Sequence, residues 1–77
     1  MAPAPELRKE AARSLTKREM EIVLLVAQGL KNKVIADRLS IAERTVKNHL
    51  QSIFYKLNVS NRLELAVHAI QNKLGSS

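Results

Sequence analysis

Residues 32–57 read NKVIADRLSIAERTVKNHLQSIFYKL, and the apolar positions inside this stretch decide the fold. Ile35, Ala36 and Leu39 fall at helical spacing after Asn32, a residue type that caps helices, and Ser40-Ile41-Ala42 leaves room only for a tight turn. A longer apolar series follows. Val46, Leu50, Ile53 and Leu57 recur at alternating steps of four and three, which aligns them as one buried stripe on a helix from about 43 to 57. A short helix, a tight turn and a second helix make a helix-turn-helix, spanning about 32–51.

The flanking sequence extends this unit on both sides. Thr16 followed by Glu19 is a capping-box pair, with Leu15 placed to act as its hydrophobic staple, so a helix runs from about 17 to 28. Its inward face carries Ile22, Leu25 and Val26, and Gly29 can take the left-handed conformation that closes a helix. After a break at 58–60, Asn61 caps a last helix over about 61–73. With no competing strand pattern, the expected class is all-α, with four helices in a domain over 14–74. Residues 1–13, which include Ala-Pro-Ala-Pro, read as a flexible tail or linker, and 75–77 as a frayed end.

Composition narrows the function. Seventy-seven residues without a cysteine exclude a disulfide framework and a zinc finger, and leave oligomerisation as the support to look for. No apolar run approaches the roughly 20 residues of a membrane span, so a cytoplasmic protein with no membrane partner is expected. The net charge is +6, and between Lys31 and Lys56 six cations face two anions, a concentration of charge that suits a phosphate-bearing partner.

Placed on a wheel of about 100° per residue, the third helix puts Val46, Leu50, Ile53, Leu57 and Ala42 on the inward side. Lys47, Gln51, Arg44, Tyr55 and Asn48 lie opposite. Lys and Arg donate to guanine O6 and N7, while Asn and Gln pair bidentately with adenine, and a helix fits the major groove. Arg44, Lys47, Asn48 and Gln51 are therefore the expected base readers of double-stranded DNA. Phosphate contacts are expected from Asn32 and Lys33, at the positive end of the second helix, and from Thr45, Tyr55 and Lys56. A merely hydrated polar face is the plain alternative for each of these.

His49, at the edge of the buried stripe, is expected to pack or to bond phosphate, and His68 to face solvent. Neither has metal-ligand spacing, and no nucleophile elbow, phosphate loop or acid pair is present, so neither a cofactor nor an enzymatic activity is expected.

Leu15-Thr16-Lys17-Arg18-Glu19, Gly29 with Asn32-Lys33 and Ile35-Ala36, Thr45-Val46-Lys47-Asn48-His49, and Lys56-Leu57-Asn58-Val59 with Arg62 together resemble the LuxR family, NarL/FixJ type, of bacterial transcription regulators. The resemblance covers about 15–70. It implies that the third helix enters the major groove with Lys47, Asn48 and Gln51 at base-contacting positions, that the second braces it, and that the fourth pairs two copies on a two-fold DNA site. It also implies an N-terminal receiver or ligand-sensing domain in most members, and action in the bacterial nucleoid. Ala42 departs from the pattern by standing where Ser or Thr commonly caps the recognition helix, and Lys31 departs by replacing a Ser, which leaves Asn32 to cap alone. Met20 and Leu24 stand where polar residues are usual; they form a candidate patch for a partner domain, or are buried beneath the N-terminal segment.

The last helix gives its own reason for pairing. Its apolar residues fill an arc of about 200°, twice what one core needs. Leu63, Val67, Ile70 and Leu74 are the expected homodimer contact, Ile70 being shared with the core and the dimer able to form on DNA alone. Two rival readings stand beside this one: a sigma-factor region-4-like promoter-binding domain acting with RNA polymerase, and a helical protein-interaction module.

Overall fold

The computed structural model describes residues 15–72. The tail at 1–13, the frayed end at 75–77 and Leu74 lie outside the described residues. The helices are α1 (Lys17–Ala27), α2 (Asn32–Leu39), α3 (Glu43–Leu57) and α4 (Arg62–Asn72). Among the described residues there is no strand. The all-α class is thus the observed one, with every helix within about two residues of its expected limits.

Local chemistry sets these limits. The Thr16 hydroxyl accepts the Glu19 N–H at 3.0 Å and the Glu19 carboxylate accepts the Thr16 N–H at 2.9 Å, completing the capping box that starts α1. Three helices end in the same way. Gly29, Ser40 and Asn58 all adopt positive φ, at 86°, 57° and 55°. Each donates to a carbonyl three residues back, and the next residue donates to one five back: Leu30 to Leu25, Ile41 to Ala36, Val59 to Phe54. This paired closure satisfies carbonyls that a helix end leaves orphaned, and turns the chain sharply. It is why loops of only a few residues suffice between the helices.

The start of α2 differs from expectation. Its N-cap is Lys31, with no side-chain cap, and Asn32 is the first helical residue. Asn32 does not cap because its side-chain oxygen accepts from Arg62 Nη1 at 2.5 Å, a partner 30 residues away. At α4 the reading holds: the Asn61 side-chain oxygen accepts the Glu64 N–H at 2.9 Å, while the Glu64 carboxylate accepts the Ser60 N–H at 2.8 Å.

The core joins one stripe from each helix. Ile22, Val23 and Val26 of α1 meet Ile35 and Ala36 of α2, the four expected residues of α3, and Leu65 and Ala69 of α4. Helix α1 is the hub, packing on α4 and α3 and more lightly on α2, while α2 and α3 brace each other. Val23 takes the fully buried place expected for Leu25, which is half-buried at the rim. Ala42 is exposed, because it sits at the cap of α3, before the inward stripe begins.

One residue of α4 departs from its expected place. Ile70, expected to be shared with the core, is 64% exposed. The buried stripe of α4 is centred between Leu65 and Ala69, which leaves Ile70 outside it. Leu63, Val67 and Ile70 consequently face away from α1, at 74%, 42% and 64% exposure.

Candidate nucleic-acid interface

Helix α3 holds the candidate readers rigidly because its other face is fully engaged. Val46, Ile53 and Leu57 are wholly buried and Leu50 nearly so, so the axis of α3 is fixed by packing against α1 and α2. Arg44, Lys47, Asn48 and Gln51 are all exposed on the opposite face. Among the described residues, nothing hydrogen-bonds or pairs with their side chains. From Arg44 to Gln51 the helix rises about 10 Å, matching about three base-pair steps. Tyr55 continues this face at 88% exposure.

Lys33 is exposed at the start of α2, and Thr45 is half-buried in the first turn of α3. At both helix starts the N-cap side chain leaves the first N–H groups unbonded, so these donors and the positive dipole ends stay available to an anion.

Two of the expected phosphate ligands are used differently. Lys56 Nζ donates to Glu19 Oε1 at 2.7 Å, forming an ion pair between the last turn of α3 and the first turn of α1. Glu19 is 4% exposed, so this lysine balances a buried carboxylate, and its charge does not add to the surface field. Burial pushes the Glu19 carboxyl up, but hydrogen bonds from Lys56, the Thr16 N–H and Ser52, with the Lys56 charge, hold it below its ordinary value. Asn32 is half-buried with its oxygen on Arg62, whose second nitrogen, Nη2, donates to the Leu30 carbonyl.

Arg62 is the residue that the pattern reading missed. A signal was present, since a cation in the first turn of α4 opposes the helix dipole and calls for a partner elsewhere. Its two acceptors tie α4 to the α1–α2 loop and to the start of α2.

Met20 and Leu24 are both half-buried. His49 is half-buried at the stripe edge, and His68 is half-buried instead of facing solvent. Among the described residues, no cluster of His, Cys, Asp or Glu could hold a metal ion. No helix among them is long and apolar enough to cross a membrane.

A helix packed on one side and presenting unpaired cations and amides on the other, braced by a short helix across a left-handed turn, defines a helix-turn-helix domain. Residues 13–69 match the family described as bacterial regulatory proteins, luxR family, and the chain belongs to it. The transcriptional regulatory protein LiaR of Bacillus subtilis is 51% identical over 61 residues, covering 79% of this chain and 29% of that protein. The transcriptional regulatory protein DegU of Brevibacillus brevis is 43% identical over 58 residues, covering 75% of this chain and 25% of that one. The response regulator protein VraR of Staphylococcus aureus is 43% identical over 67 residues, covering 87% of this chain and 32% of that one. The chain thus spans about a quarter to a third of the length of these relatives. Family membership carries the coarse reading with it: a DNA-binding domain of transcription regulation.

Proposed function

We propose that the domain binds double-stranded DNA sequence-specifically, with α3 in the major groove and Arg44, Lys47, Asn48 and Gln51 reading base edges. The observation that carries this is the outward face of α3, on which all four side chains are exposed and unpaired among the described residues. None of the four is engaged in a hydrogen bond or ion pair among the described residues, so no such contact must be broken on binding. Lys33, Thr45, Tyr55 and the N-terminus of α2 with Asn32 contact phosphate and set the register. Lys56 contributes chiefly by holding α3 on α1.

Two copies pair through α4. Leu63, Val67 and Ile70 form one exposed stripe at steps of four and three, which suits an isologous two-fold contact, and Leu74 extends the same face in sequence. The greater length of the relatives supports a further receiver or ligand-sensing domain joined to this one, acting in the bacterial cytoplasm.

Duplex titration across salt concentrations tests the reading. Log K for a preferred duplex falls steeply and linearly with log salt, and Lys47→Ala weakens that duplex by about tenfold or more while costing random duplex much less. Equal losses on both duplexes would remove Lys47 from the readers, and salt-independent binding would remove DNA as the ligand.

A further inference from the structure

We propose that Arg62 is a positioning residue for DNA binding, one that makes Asn32 a donor-only phosphate ligand; this rests on the reading of Asn32 given above. The argument is chemical. A guanidinium has only donors, so the amide atom facing Arg62 Nη1 at 2.5 Å must be the Asn32 oxygen. The amide is then fixed with its oxygen consumed, and its Nδ2 has no partner among the described residues.

A free Asn in the first turn of a helix presents oxygen or nitrogen equally well, and its oxygen would repel a phosphate or compete for the N–H groups of the same turn. Arg62 removes that alternative. The second contact, Nη2 to the Leu30 carbonyl, fixes the guanidinium plane itself, so the fork cannot swing with the amide. Asn32 Nδ2, the unbonded N–H groups of the first turn of α2 and Lys33 then form a set of donors with no acceptor among them. The residue that organises this set lies next to Leu63, the first residue of the α4 stripe, so the phosphate ligand is referenced to the helix that pairs the two copies.

The test compares Asn32→Ala, Arg62→Met and the double variant on preferred and random duplexes across a salt series, well below each variant's melting temperature. Asn32→Ala and Arg62→Met each weaken both duplexes by the same factor, roughly tenfold per half-site, with the salt slope nearly unchanged. The double variant loses no more than either single one, because both remove the same contact. Arg62→Lys, which keeps the charge without the fork, recovers only part of the loss.

Full affinity in Arg62→Met, or additive losses in the double variant, overturns the proposal. A salt slope reduced by about one charge in Arg62→Met, with Asn32→Ala unaffected, overturns it too and makes Arg62 a direct clamp. Failure of the wild-type domain to bind either duplex would instead overturn the DNA-binding reading, which separates the two outcomes.

Discussion

Glu19 is held by more groups than any other acid described in the domain. It closes the capping box of α1 and receives Lys56 Nζ at 2.7 Å from the far end of α3. Its carboxyl lies below the ordinary value despite burial, so the folded state binds its proton more weakly than the unfolded chain does. The stability it contributes is therefore present above the ordinary glutamate value and lost as pH falls from there through the lowered one. Thermal melts should show Lys56→Met destabilised by about 2 kcal/mol at pH 7, because a buried carboxylate loses its counter-charge. The deficit should narrow as pH falls, because protonation neutralises the stranded acid. A variant that melts like the wild type at pH 7 would rule out the ion pair as a support of the fold. The capping box was legible in the pattern but the ion pair was not, since Lys56 reads there as a phosphate contact; the pair joins residues 37 apart, and spacing reports only neighbours.

At the scale of the element, α3 was the most legible part of the chain. Its stripe of Val46, Leu50, Ile53 and Leu57 and its limits at Glu43 and Leu57 match the pattern, because a helix packed along its whole length has no freedom to shift. Its weak point is the start. Ala42 holds φ −73° and ψ 150°, close to the −70° and 164° of Thr16, whose hydroxyl caps α1, yet Ala42 has no side chain to offer. Ala42→Ser should therefore add about 1 kcal/mol by capping the recognition helix, seen as a melting temperature raised by about 4–8 °C. An unchanged or lower melting temperature would mean that this turn cannot accept the cap. The start of α2 was misread for a physical reason: Asn32 has the side chain of a cap, but the guanidinium of Arg62 competes for the same oxygen and donates more strongly.

Across the whole molecule, α1 acts as the hub, with α3 and α4 packed against it. That leaves the outer face of α3 and the Leu63, Val67 and Ile70 stripe of α4 as two surfaces with no internal use. The sequence foretold an apolar surplus on α4 with Leu63 and Val67 in it, but wrongly gave Ile70 a share in the core, because spacing alone does not say how far the buried stripe reaches until α1 packs on Leu65 and Ala69. The proposed symmetric contact between two copies would bury the three large apolar side chains that α4 keeps in solvent without enlarging the core.

Selection of bound sequences from a pool of random duplexes, run in parallel on the wild-type domain and on Val67→Asp, tests that arrangement and the role of α3 together. The wild type should enrich two copies of one short half-site related by a two-fold axis, while Val67→Asp should enrich a single half-site at lower affinity. No enriched sequence from the wild type at moderate salt would contradict the central claim that α3 reads bases.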